Sequence, residues 1–312
     1  MNNSFQERVQ RRQSRLTRSQ LALARYILQH DREAPFLSSA QLAGRVSTSD
    51  ATVTRFCSAL GYQGYADLQK DLQKYLQMRL TPSERLETIP REKGESLYQE
   101  IIGRDIQNLK ETAAALQPRL LKEILHAVNK GRRVFILGLR SSFGLAALAH
   151  SHLSGIRKGV VLADTARGMM ADQLADIGPG DVMLAISFPR YTRETLECVR
   201  YARRRGCRII GMTDSILSPL ARISDLVVQA RVYTMGFINS YTSAVGIINC
   251  LSAGLSMMSP KRSIRTLKAV ESELKKWKTW EVQDPNSSRR RRLNGQAPGQ
   301  RYQTPLQKGE AR

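Results

Sequence analysis

Five short apolar runs, interleaved with helical segments, constrain this 312-residue chain more than anything else in it. They are Arg133–Leu137 (RVFIL), Gly159–Ala163 (GVVLA), Asp181–Ile186 (DVMLAI), Arg208–Met212 (RIIGM) and Leu226–Ala230 (LVVQA). Short continuous apolar runs suit strands buried on both faces. Helical segments such as MMADQLADI and RETLECVRYARRR between them imply right-handed βαβ crossovers. The expected fold over residues 130–260 is therefore an α/β domain with a doubly wound five-stranded parallel sheet. Ligands of such sheets bind beyond the carboxyl ends of the strands.

Residues 1–80 read differently, as an all-α domain. Leu16-Thr17-Arg18 opens a helix to about Gln29, with Leu21, Ala24, Ile27 and Leu28 as its apolar stripe. A second short helix follows Ser38-Ser39, with Leu42 and Val46 one turn apart. The polar turn Ser47-Thr48 leads to Ser49, a good N-cap, and a third helix runs from Asp50 to Leu60. Gly61 closes it where a left-handed residue is wanted. Val53, Phe56 and Leu60 share one face, which leaves Ala51, Thr52, Thr54, Arg55 and Ser58 outward. Small hydroxylated side chains with one Arg suit entry into a major groove: Thr and Ser bond phosphates or bases, methyls touch thymine, and Arg reaches guanine. Two helices about a short turn make a helix-turn-helix. The candidate DNA-contacting residues are Ser49, Ala51, Thr52, Thr54 and Arg55, and the expected partner is an operator in double-stranded DNA. A small helical bundle without a nucleic-acid role is the plainer alternative.

The charge points the same way. The chain carries 49 Lys+Arg against 27 Asp+Glu, and a balance this basic favours polyanions. Arg8, Arg11, Arg12, Arg15 and Arg18 form a basic N-terminal arm suited to phosphates or a minor groove. Residues 286–312, with Arg289–Arg292, hold 7 basic groups and 1 acidic and read as a disordered basic tail. That tail adds non-specific affinity or is a bystander. A general nucleic-acid-binding protein without operator preference fits the charge as well.

Residues 81–129 read as a linker (TPSERLETIPREKGES) followed by two connecting helices, QEIIGRDIQNLKETAAAL and PRLLKEILHAVNK. Residues 261–285 read as a C-terminal helix. Ser243–Met258 is apolar with small residues interleaved, which predicts a packing helix, with a subunit interface as the other use.

Several function classes fall away. No apolar run reaches the roughly 18 residues that span a bilayer, and the first twenty residues hold no apolar signal core. A cytoplasmic protein that does not engage membranes is expected. Cys57, Cys198, Cys207 and Cys250 lie singly, without disulfide or metal spacing, and read as core or half-buried residues. The Gly-rich signatures of triphosphate and dinucleotide sites are absent. Neither cofactor nor metal is expected.

Two loops at strand ends carry the chemistry that remains. Gly138-Leu139-Arg140-Ser141-Ser142-Phe143-Gly144 follows the first strand, and Ser187-Phe188-Pro189-Arg190-Tyr191-Thr192 follows the third. Each places hydroxyls, backbone N–H groups and an arginine at a helix N-terminus, which attracts anions. The candidate effector-binding residues are Arg140, Ser141, Ser142, Ser187, Arg190 and Thr192; helix capping is the alternative use of their hydroxyls. Acid–base catalysis finds no support. His150 and His152 are two apart on a helix and face different directions, and Glu194 suits a helix dipole.

The strings LTRSQLALARYIL (16–28) and LAGRVSTSDATVTRFCSALGYQGYADLQ (42–69) resemble the N-terminal domain of RpiR-type bacterial transcription regulators. That family often has Gly in the inter-helix turn, where Ser47 stands here. Residues about 130–255 resemble the SIS (sugar isomerase) domain, which in such regulators binds a phosphosugar effector. GLRSS matches its phosphate loop. The family's second loop resembles S-x-S-G-x-T, whose small Ser-Gly is replaced here by Pro189-Arg190-Tyr191. The resemblance implies a DNA-binding transcription regulator, a homodimer or homotetramer, that senses a small anionic, phosphosugar-like metabolite. The added bulk and charge leave a smaller or more acidic ligand equally open. A sugar-phosphate isomerase-type enzyme with a helical appendage is the alternative reading.

Overall fold

The computed structural model describes residues 5–88, 94, 96–164 and 170–279. The basic tail expected from 286 onward, with Arg289–Arg292, lies outside these, as does the end of the helix expected over 261–285. The chain forms two compact units, residues 1–266 and residues 267–312.

The first unit opens with α1 (Phe5–Arg12), α2 (Arg18–Gln29), α3 (Ser39–Arg45), α4 (Asp50–Ala59) and α5 (Tyr65–Arg79). The starts of α2 and α3 are written in the sequence as reciprocal caps, Thr17 with Gln20 and Ser38 with Gln41. Phe5, Leu23, Ile27, Leu42, Val53, Phe56, Leu60 and Leu68 make the core of this head. In α2 the inward stripe is Gln20, Leu23, Ala24 and Ile27 rather than the expected set. Leu23 is fully buried and Leu28 is 40% exposed. Both faces of this helix carry leucines, so periodicity alone chose the wrong edge of the stripe.

Where a linker was expected, Pro82–Thr88 coil into α6. Thr81 and Glu84 cap its start, the Thr81 amide donating to Glu84 Oε2 at 2.7 Å and the Glu84 amide to Thr81 Oγ1 at 3.2 Å. The two connecting helices follow as α7 (Ser96–Ala115) and α8 (Pro118–Lys130), the second with its proline in the first turn.

The α/β domain contains β1 (Val134–Leu137), α9 (Phe143–Ser154), β2 (Val160–Ala163), α10 (Met170–Leu174), β3 (Val182–Ile186), α11 (Arg193–Arg204), β4 (Arg208–Thr213), β5 (Leu226–Gln229) and α12 (Thr242–Met258). All five expected strands form one sheet of order β2-β1-β3-β4-β5, parallel throughout. Alternate residues of each strand face opposite layers. Val134 and Ile136 pack with α8, α9 and α12, while Phe135 and Leu137 pack with α10 and α11. The chain steps outward from β1 to β2 and returns to β3 on the other side of β1. The loops after β1 and β3 therefore diverge and open a crevice, the topological switch point.

Helix α12 buries Ala244, Ile247, Ile248, Leu251 and Leu255 in the core, as a packing helix should. Met257 at its end is 80% exposed. Cys57 and Cys207 are buried and Cys198 half-buried, but Cys250 is exposed, contrary to expectation. It stands on the side of α12 turned away from the sheet. A last helix, α13, covers Pro260–Lys276. Among the described residues, no single helix is long and apolar enough to cross a membrane.

Candidate nucleic-acid interface and anion cleft

Helix α4 is built as its sequence predicts. The Ser49 hydroxyl accepts from the Thr52 amide at 3.3 Å and so caps the helix. Val53, Phe56 and Leu60 are fully buried. Ser47 has φ of 52°, the left-handed conformation that glycine adopts most cheaply, so the turn keeps its shape with serine in it. Gly61, at φ of 78°, closes the far end.

The outward face is open. Ser49, Ala51, Thr54 and Arg55 are exposed and Thr52 is half-buried. Its hydroxyls are held locally: Thr54 Oγ1 donates to the Asp50 carbonyl at 3.2 Å, and Arg55 donates to Thr52 Oγ1 at 3.3 Å. These bonds fix a short-reach surface with one cation at its edge.

The basic arm is ordered otherwise than expected. Residues 5–12 are helix α1, and two of its arginines turn inward. Arg8 donates to the carbonyls of Leu60 and Gly61 at 3.0 and 2.9 Å, and Arg12 to that of Ala59 at 2.6 Å. These are the orphan acceptors at the end of α4, where cations also suit the dipole. Phe5 packs edge-on against Phe56, ring centres 6.3 Å apart. The sequence signal was present, since Phe5 and Val9 are one turn apart, but a charge run hides an amphipathic helix.

Head and α/β domain touch through polar groups. Glu7 is buried, and its Oε1 accepts from Ser215 Oγ, just beyond β4, at 3.0 Å and from Nε2 of Gln229, the last residue of β5, at 3.2 Å. Tyr233 donates to Gln77 Oε1 at 2.9 Å, and Arg85 of α6 to Asn239 Oδ1 at 2.8 Å.

At the switch point, Arg140, Ser141, Ser142, Ser187, Arg190 and Thr192 all line one cleft of about 80 Å³. Gly138 lets the first loop turn tightly, because a Cβ there would stand 2.6 Å from the Ser142 carbonyl oxygen. Ser142 and Ser187 are buried, Thr192 half-buried. Ser142 and Thr192 occupy the N-cap positions of α9 and α11, yet neither side chain makes a capping hydrogen bond. The N-cap residues of two helices thus meet at one space, with their hydroxyls not used for capping.

Arg140 and Arg190 both adopt left-handed backbones, φ of 54° and 68°. Such strain in non-glycine residues collects at ligand sites. Arg190 stands where S-x-S-G-x-T has its glycine, which explains the residue preferred there.

Sequence reasoning did not reach the third wall. Tyr241, just before α12, donates to Ser141 Oγ at 2.8 Å and leans on Phe188 with ring centres 5.6 Å apart. Behind the second loop, Tyr191 donates to Asp214 Oδ1 at 2.7 Å. Burial pushes the Asp214 carboxyl up, against the hydrogen bond from Tyr191.

Comparison with known proteins agrees with this architecture. Residues 3–79 match the model of the helix-turn-helix domain of the rpiR family, and residues 128–251 match that of the SIS domain. The HTH-type transcriptional regulator HexR of Pseudomonas aeruginosa is 28% identical over 222 residues, 70% of this chain and 76% of that protein. An RpiR transcription factor from Sphaerobacter thermophilus (sugar isomerase domain) superposes with a TM-score of 0.54 at 26% identity, over 57% of this chain and 99% of that one. NanR of Vibrio vulnificus, solved in complex with ManNAc-6P, has the same fold: TM-score 0.54, 20% identity, 86% of this chain and 97% of that one. The chain belongs to the RpiR-type helix-turn-helix transcription regulators, with a DNA-binding head joined to a SIS domain.

Proposed function

We propose that the cleft between Ser142 and Ser187 holds the phosphate-like group of a small anionic metabolite, and that its occupation alters operator binding by α4. The observation that carries this reading is the convergence of Ser142, Ser187 and Thr192 on one cleft without capping either helix. Hydroxyls, helix N-termini and two arginines make an anion site of the kind used for phosphates. A ligand there exchanges water for fixed donors. Arg140 and Arg190 favour an effector with more negative charge than a neutral sugar bearing one phosphate.

On the DNA side, Ala51, Thr52, Thr54 and Arg55 read the major groove, while Ser49 caps the helix and faces the backbone. A homodimer or homotetramer, acting in the cytoplasm, would present two such helices to a palindrome. Ile102, Ile106 and Leu109 support an assembly, being exposed on one face of α7 at i, i+4, i+7 spacing.

The test is a thermal-shift screen of phosphosugars and phosphorylated sugar acids, followed by DNA binding with the best one. Ser142→Ala and Ser187→Ala should each weaken the shift. A metabolite that stabilises wild type and both variants equally would contradict the assignment.

A further inference from the structure

A second cavity, larger than the serine cleft, lies on the other side of the second loop. It measures about 440 Å³ and lies between α1 and α5 of the head, α7, and the chain leaving β3, β4 and β5. That volume falls inside the range of small-molecule sites, roughly 300–1,000 Å³. The two spaces share Pro189 and Arg190 and are otherwise lined by different residues.

Its lining holds four cations, Lys74, Arg104, Arg190 and Arg231, against three carboxylates. Asp71, Glu111 and Asp214 reach the wall, but each already has a partner. Tyr62 donates to Asp71 at 2.6 Å, Tyr191 to Asp214 at 2.7 Å, and Arg231 lies 3.9 Å from Glu111. Burial pushes the carboxyls of Asp71 and Asp214 up, toward the neutral form. Lys74, Arg104 and Arg190 line the same space, and none has a carboxylate within ion-pairing distance among the described residues. Arg104 lies over the Tyr233 ring, 4.7 Å from its centre, which orients it without neutralising it. Cations in a concave, partly apolar wall concentrate field on an anion far better than the same charges on open surface.

We propose that this cavity binds a second, multiply charged organic anion, separate from the ligand of the serine cleft. The shared chemistry is several negative charges on a compact body, as in a polycarboxylate or a polyphosphate. A ligand there touches the head through Lys74 and the SIS domain through Arg190, so it reinforces the contact between them. The inference does not depend on what the serine cleft binds.

The experiment uses the full chain carrying Ser142→Ala and Ser187→Ala, titrated calorimetrically with citrate and, separately, with pyrophosphate. At least one probe should bind at a single site with a Kd below about 1 mM. Adding Lys74→Met and Arg104→Met should weaken it about tenfold or more. If that combination fails to fold, Lys74→Gln alone must weaken it at least about threefold. Whichever probe binds identifies the anion class. Absence of binding by both probes, or binding that the Lys74 and Arg104 substitutions leave unchanged, would overturn the proposal. So would binding present in the wild type and lost with the two serines.

Discussion

The hydroxyl of Ser215 donates a 3.0 Å hydrogen bond to the carboxylate of Glu7, 208 positions away in the chain. Ser215 follows Asp214, which takes the hydroxyl of Tyr191 from the second cleft loop. Glu7 is on the helix whose Arg8 and Arg12 hold the end of α4. One short helix therefore touches both α4 and the strand ends beside the cleft.

This arrangement predicts where coupling is lost. Allosteric coupling is commonly about 1–3 kcal/mol, or roughly 5–150-fold in affinity. In Glu7→Gln the ratio of operator affinities with and without effector should contract toward one, while effector affinity changes less than about twofold. Fluorescence anisotropy with labelled operator measures both quantities. An unchanged ratio would remove α1 from the route.

Arg12 distinguishes a structural arm from a phosphate-tracking one. Arg12→Ala should lower the stability of the head by about 1 kcal/mol, the net worth of a typical hydrogen bond. The slope of log affinity against log salt should stay put, because no phosphate contact is removed. A slope shallower by nearly one unit would assign Arg12 to the DNA backbone instead.

The left-handed backbone of Arg190 makes a separate prediction. Glycine there relieves about 1–2 kcal/mol of steric strain and gives back roughly 0.5–1 kcal/mol through the freer unfolded chain. Arg190→Gly should thus be as stable as wild type or slightly more so, by thermal unfolding. Effector affinity should fall about tenfold, since a charge-assisted contact of roughly 1.5 kcal/mol or more is lost.

Asp181 governs the acid limb of stability. Burial acts to raise its carboxyl, but the hydrogen bonds from Arg133 and Arg132 outweigh this and hold it well below the usual carboxylate range. A carboxylate depressed in the folded state contributes stability above its unfolded value of about 3.9 and loses it as the pH falls through the folded value. Asp181→Ala should cost roughly 1.5–3 kcal/mol at neutral pH, because the buried carboxylate's hydrogen bonds from Arg132, Arg133 and the Gly178 amide are lost. Against wild type, that difference should shrink below about pH 4. Denaturant titrations at several pH values would show it; a constant difference would contradict it.

The parts that local chemistry decides were legible in the sequence. All five strands lie within a residue of the expected positions, because continuous apolar runs bounded by turn residues leave little choice of register. The fold of α4 was legible too, since Ser49, Val53, Phe56 and Gly61 each do what their side chains or backbone freedom allow. The candidate loops came together because the switch point of a 2-1-3-4-5 sheet follows from the order of strands and crossovers. Tertiary choices were not legible. Arg8 and Arg12 read as part of a basic arm for phosphates or a minor groove, since no local pattern says that they end on carbonyls near residue 60. Leu28 lost its place in the core to Leu23 because α2 is leucine-rich on two faces. Tyr241 joins the cleft wall from a hundred residues beyond Ser141, and nothing in its neighbourhood announces that role.

Sequence-specific reading of DNA by the exposed side of α4 is the property to test first. The most direct measurement is selection of duplexes from a random pool by the full chain, followed by affinities of the selected duplex and of an unrelated one. A defined site should be enriched, and Arg55→Ala should cost roughly 1–3 kcal/mol for that site alone. No enriched site, or an Arg55→Ala loss equal on both duplexes, would contradict it.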